Sequence, residues 1–126
     1  MIRNRVVIVV ALIAVFVVAG GALIYANTNK GSSKSITFNL TVNGASTMTV
    51  SGGTDPEKLA AHQNDSITIN VVSDQEGEVH LHEYDLAFNV KPGETATRTF
   101  KADRTCTCEI EWEETSHHLG TLTVSP

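Results

Sequence analysis

From Ser35 onward the chain alternates apolar and polar positions. Ile36, Phe38, Leu40 and Val42 fall on one face and Thr37, Asn39 and Thr41 on the other, the period-2 pattern of a half-buried strand. Asn43-Gly44 is a turn signal, and Ser46 to Val50 can return as a second strand. Ser66 to Ser73 repeats the alternation with Ile67, Ile69 and Val71 inward. Further strands are predicted through Val79–Val90, over Thr95–Ala102, over Cys106–Trp112 and over Leu119–Val124. Between them lie a polar turn at Ser73–Glu78, a Lys91-Pro92-Gly93-Glu94 run suited to a type II turn, and a loop at Glu114–His118. Gly52 to Asp65 is irregular, with one helical turn expected at Asp55-Pro56-Glu57. Six or seven short strands with almost no helix predict an all-β fold, an antiparallel β-sandwich or Greek-key barrel.

The first residues break this pattern. Arg3 and Arg5 lie in a short basic tail, and Val6 to Tyr25 carries no charge. About twenty residues at ~1.5 Å each match the ~30 Å hydrocarbon core of a bilayer. A retained transmembrane anchor therefore takes precedence over a cleaved signal peptide, whose apolar region is usually shorter. The expected organisation is a cytoplasmic tail at 1–5, a single-pass span at 6–25, a Gly/Ser-containing linker at 26–34, and a domain at 35–126. The charge bias places that domain on the extracytoplasmic side of the cell membrane, with the lipid bilayer as a partner.

Charge narrows the other partners. From Gly31 to Pro126, six Lys and Arg face fourteen Asp and Glu, a formal balance of −8. Such a surface disfavours nucleic acid and suits cationic partners.

The chemistry is concentrated between Val79 and Trp112. Extending the alternation of Tyr84, Leu86, Phe88 and Val90 backwards sets His80 and His82 on the inward face. Cys106 and Cys108 share an inward face with Ile110 and Trp112. Two imidazoles and two thiolates on neighbouring strands would suit copper or zinc. His118, beside His117, is an additional candidate ligand. Two other readings stand next to this one. The four side chains can be inert core residues, or Cys106 and Cys108 can be joined, which requires a kinked strand to bring their Cα atoms within disulfide range. No serine or histidine is arranged as a nucleophile–base pair, so an enzyme is not expected.

The runs Val79-His-Leu-His-Glu-Tyr-Asp-Leu86, Val90-Lys-Pro-Gly-Glu94, Phe100-Lys-Ala-Asp103, Cys108-Glu-Ile-Glu-Trp112 and Leu119-Gly-Thr-Leu-Thr-Val124 resemble the cupredoxin superfamily. The match covers Ser66 to Pro126 well and Ser35 to Asp65 loosely. The resemblance implies a Greek-key β-sandwich with a metal site built from His80 or His82 and the C-terminal loop. It also shows departures. The usual ligand cysteine would fall near Trp112 or Glu113, and Leu119 and Gly120 stand where a methionine would be expected. An ordinary type 1 copper centre is therefore not carried over. The expectation is a membrane-tethered cupredoxin-like protein that binds copper, ahead of zinc, for electron transfer or copper handling, with a redox or metal-transfer protein as partner. The alternative is a metal-free sandwich that docks an envelope or membrane partner.

Overall fold

The computed structural model describes residues 32–51 and 58–126. The expected membrane span, most of the linker and the helical turn at Asp55-Pro56-Glu57 lie outside the described residues. Among the described residues no helix is long and apolar enough to cross a membrane.

Among the described residues nine strands follow in order: β1 (Ser35–Asn43), β2 (Thr47–Ser51), β3 (Lys58–His62), β4 (Ser66–Ser73), β5 (Gly77–Leu81), β6 (Leu86–Val90), β7 (Thr95–Lys101), β8 (Cys106–Trp112) and β9 (His117–Ser125). They form two sheets, of order β2-β1-β4-β7 and β3-β9-β8-β5-β6. The inward alternation of β1 and β4 stands as expected: Phe38, Leu40 and Val42 pack with Ile67, Ile69 and Val71 in one core. Neither sheet is wholly antiparallel, because β1 runs parallel to β4 and β3 parallel to β9. The chain leaves the first sheet after β2, contributes β3 to the second, and returns as β4. β3 itself falls in the stretch read as irregular.

The turn at Lys91–Glu94 closes as predicted, with Gly93 at φ +81° and the Glu94 N–H donating to the Lys91 carbonyl at 3.1 Å. The single strand expected over Val79–Val90 is instead a hairpin. Leu81 pairs with Leu86, and His82 to Asp85 make the connection, with Glu83 and Asp85 at φ +69° and +50°. Alternation on β5 therefore counts from Val79 and Leu81, both buried, and His80 faces the other way.

A second irregularity affects His118. The expected loop is a single 3-10 turn at Glu113–Thr115, after which His117 and His118 already belong to β9. Ile110 pairs with Gly120 and Glu111 with His118, so Leu119 is an extra residue in a β-bulge. The bulge reverses the alternation: Leu119 is buried while His118 is exposed.

Asp65 closes the end of the sandwich where β1 begins. Its carboxylate is buried and accepts the backbone N–H groups of Lys34 and His62, each at 2.8 Å. The His62 bond, opposed by burial and reinforced by the Lys34 bond, holds its pKa below the ordinary 3.8. A depressed carboxylate pKa contributes stability that is present above the ordinary value and is lost as pH falls through the folded one. Asp65→Asn, which weakens bonds to a charged acceptor, is expected to cost about 1.5–2 kcal/mol at neutral pH. The gap from wild type should shrink in acid. Urea unfolding at pH 7 and pH 3 measures both.

Candidate metal centre

The hairpin and the bulge together bring a set of ligating side chains to the outer face of the five-stranded sheet. His80 on β5 stands opposite Glu111 on β8, and Glu111 stands opposite His118 on β9. His82, at the head of the β5–β6 turn, is tied to β8 by its backbone N–H, which donates to the Glu109 carbonyl at 2.9 Å. Tyr84 braces the turn: its hydroxyl donates to the Arg104 carbonyl at 2.6 Å and accepts the Arg104 N–H at 3.2 Å. The Arg104 guanidinium lies 4.9 Å from the centre of the Tyr84 ring.

The ligand atoms of His80, His82 and Glu111 all lie within 4.8 Å of one another. His80 Nε2 is 2.8 Å from Asp85 Oδ1. An ionised carboxylate only accepts, so Nε2 carries the proton and the lone pair is on Nδ1. That Nδ1 is buried with no hydrogen-bond partner, and so is His82 Nε2. Glu111 Oε1 is 2.7 Å from His82 Nε2 but outside hydrogen-bond geometry, and Glu113 Oε2 is 3.6 Å from His80 Nδ1. Two solvent-shielded nitrogens converge beside a carboxylate that is only 9% exposed. Buried polar atoms are rarely left unpaired, and an ion that neither forms part of the chain nor donates a hydrogen bond would satisfy both.

The Glu111 contact, working against burial and aided by Glu109 and Glu113, holds the His82 pKa above its ordinary 6.5. The same contact holds the Glu111 carboxyl below its ordinary 4.5. A cation binding here replaces the imidazolium proton, so its affinity rises with pH.

Two imidazole nitrogens and one carboxylate oxygen form a borderline-to-hard donor set. It accepts divalent Cu, Zn, Fe or Ni, and three protein ligands leave coordination positions open.

The cysteines are a correction to the four-donor expectation. Cys106 and Cys108 are bonded to each other as a disulfide, with Cα atoms 5.4 Å apart. β8 is compressed there from the ~6.5–7 Å that two residues of extended strand would span. Cys108 is fully buried on the core face, whereas Glu109 and Glu111 reach the imidazoles on the other. A blue-copper site needs a thiolate, and these residues do not supply one. His118 lies near the cluster and meets it through Glu109: His118 Nδ1 is 3.0 Å from Glu109 Oε2. His117 turns away to the Ser46 carbonyl at 3.0 Å.

The residues missed from the sequence are Glu111, Glu109 and Asp85. The alternation Glu109-Ile110-Glu111 was legible as a charged outer face. Its link to the histidines appears only once His80 is also placed outward.

No protein-family model matches the chain, and no curated protein matches it. Solved structures do resemble it. One is a chain of a heme-copper terminal oxidase dimer (TM-score 0.61, 12% identity, covering 96% of this chain and 98% of that one). Another is a laccase from B. aclada (0.56, 17%, covering 76% of this chain but 23% of the laccase). A third is the copper nitrite reductase from Nitrosomonas europaea (0.50, 17%, covering 73% of this chain and 42% of that one). These likenesses show the fold, which is cupredoxin-like, as the resemblance in the sequence implied.

Proposed function

We propose that this chain is a membrane-tethered, extracytoplasmic cupredoxin-like protein that binds copper as Cu(II) through His80, His82 and Glu111 and serves in copper handling. The observation that carries the reading is the convergence of two buried nitrogens on the Glu111 carboxylate: His80 Nδ1, which has no hydrogen-bond partner, and His82 Nε2, 2.7 Å from Glu111 Oε1. Copper takes precedence over other divalent ions because it stands highest in the affinity order for nitrogen and oxygen sites. It is also the metal named for several proteins of the same fold, the nitrite reductase among them. Handling takes precedence over electron transfer because, among the described residues, no thiolate or thioether joins His80, His82 and Glu111 to stabilise Cu(I). The disulfide supports an oxidising compartment, and the uncharged run Val6–Tyr25 supports the tether. A metal-transfer protein with a cationic docking surface would complement the acidic domain.

The test is Cu(II) titration of the full chain in detergent after chelator stripping, followed by metal analysis. Retention of copper by wild type and its loss in His80→Ala/His82→Ala is expected, with affinity increasing from pH 6 to pH 8. A wild-type chain that retains no copper overturns the reading. Fractionation of cells should place the chain in the membrane.

Asp85 supplies a finer check. A carboxylate that accepts the distal N–H of a ligand histidine fixes the tautomer and raises the ligand's basicity, and its loss typically costs 10–100-fold in affinity. Asp85→Asn is expected to weaken copper binding by that factor without altering the melting curve of the metal-free chain, since Asp85 is exposed. Competition with a chromophoric chelator measures it.

A further inference from the structure

We infer that the Cys106–Cys108 disulfide is a redox switch on the metal centre: its reduction by a dithiol partner loosens the turn that carries His82 and Asp85 and weakens the hold on the ion. The inference rests on the single-ion reading above and adds regulation to it. The β5–β6 turn is anchored at two places along the chain that leads into and through β8. The Tyr84 hydroxyl grips Arg104, donating to its carbonyl at 2.6 Å and accepting its N–H at 3.2 Å, and the His82 N–H donates to the Glu109 carbonyl at 2.9 Å. The disulfide lies between those anchors in the chain. With its Cα atoms 5.4 Å apart, it draws the segment about 1 Å shorter than two residues of extended strand. The turn is therefore fitted to a shortened span. Its backbone depends on such anchors, because Glu83 and Asp85 lie at φ +69° and +50°, and non-glycine residues keep positive φ only where their surroundings hold them.

The bond does little as a staple. It joins residues two apart in one strand, so it ties no two elements together and closes a loop too short to restrict the unfolded chain much. Its ends differ in access: Cys108 is fully buried, whereas Cys106 is only partly covered. A partner thiolate therefore attacks Cys106 Sγ, the bond to Cys108 breaks, and Cys108 leaves as a thiolate that takes up a proton. The partner's second thiolate then attacks the mixed disulfide, frees Cys106 as a thiol and leaves the partner oxidised. Two electrons and two protons pass from the partner dithiol to this chain. The pairing directs the relaxation towards Arg104. β9 pairs with β8 from Cys106 to Trp112, but β5 pairs only with Ile110–Trp112, and Arg104 precedes the strand. Lengthening moves Arg104 away from Glu109, and the turn cannot follow both anchors.

Hydrogen exchange of the metal-free full chain in detergent reads the switch without metal. After reduction with a phosphine and desalting without oxygen, the segment His80–Leu86 should exchange about tenfold faster than in the oxidised chain, with β1 and β4 unchanged. Reoxidation should restore the slow rate. Cu(II) titration reads the consequence for the ion. Cys106→Ala/Cys108→Ala stands for the reduced form there, because Cu(II) would oxidise free thiols, and circular dichroism confirms that the variant is folded. It should bind copper about 10–100-fold more weakly than oxidised wild type, the range for groups that orient metal ligands. In a Tyr84→Phe background, where the Arg104 anchor is already lost, that difference should shrink to about threefold, the non-additivity of two changes on one route. Equal exchange of His80–Leu86 in both redox states overturns the switch, as does acceleration throughout β1 and β4, which would make the bond a staple of the whole fold. Wild-type affinity in folded Cys106→Ala/Cys108→Ala also overturns it, and so does the full difference retained in Tyr84→Phe. Oxidised wild type that binds no copper overturns the copper reading, whereas the response of the turn stands or falls on the exchange result alone.

Discussion

Glu111→Gln is expected to weaken Cu(II) binding by at least 100-fold while leaving the chain folded. The carboxylate is 2.7 Å from His82 Nε2 and is almost fully covered, so it faces an incoming ion without competition from bulk water. Gln preserves its shape and removes its charge. The change acts twice on the metal. It replaces an anionic ligand with a weak neutral one, and it leaves the two neutral imidazoles as the remaining donors of the compact cluster. A residue one step removed from a metal typically contributes 10–100-fold to affinity, so a direct ligand should contribute no less than the top of that range. The same substitution has an opposite signature in the metal-free chain. Without the carboxylate beside it, His82 loses the main influence raising its pKa, so the imidazole should titrate lower by NMR. Wild-type affinity in Glu111→Gln would remove Glu111 from the site. An unchanged His82 titration would show that the contact is not formed in solution.

How much of this centre could be read beforehand depends on two places where strand parity breaks. The alternation rule located β1, β4 and β8 nearly to the residue, because each is a long, uninterrupted strand with one face in the core. It fails between Leu81 and Leu86. Nothing in His-Glu-Tyr-Asp announces a turn with the force of Asn-Gly or Pro-Gly, and Tyr84 imitates an inward strand residue. Tyr84 does pack against Phe100, at 4.9 Å between ring centres, but from a turn. Parity counted through that turn sends both histidines to the wrong face. The same error makes the cysteines attractive ligands, since it places them with His80 and His82 on the core side. Once the hairpin and the Leu119 bulge are placed, Glu109, Glu111, His80 and His118 share one face, and Cys108 is left on the other. The pairing of donors was therefore encoded in two local irregularities, each a departure from the rule that made the rest of the fold legible.

Gly77→Ala should be strongly destabilising, because of where the Trp112 indole lies. A Cβ built on Gly77 would sit 2.7 Å from Trp112 Cη2 and 2.9 Å from Cε2, and closer still to Cζ2. Real Cβ atoms essentially never approach a side chain so closely. The ring cannot swing outward without cost: Trp112 is 3% exposed and packs in the core, and its backbone is paired with Val79 on one side and His117 on the other. Overpacking of a filled core typically costs about 1–3 kcal/mol, and a rigid bicyclic ring with little freedom to yield places this case at the upper end, about 3 kcal/mol. Glycine at the start of β5 is thus a packing requirement, although in the sequence it reads as part of a polar turn. The consequence reaches the metal face as well. Trp112 follows Glu111 directly, and Val79 precedes His80, so displacement of the indole shifts the strand segment that aligns those two ligands. Urea unfolding followed by the fluorescence of this one tryptophan should show a lower midpoint and an altered native emission. A smaller ring at position 112 relieves the clash. Gly77→Ala should therefore be far less costly in a Trp112→Phe background, a coupling that a double-mutant cycle reads directly. Equal costs in both backgrounds would mean that the indole does not cover Gly77.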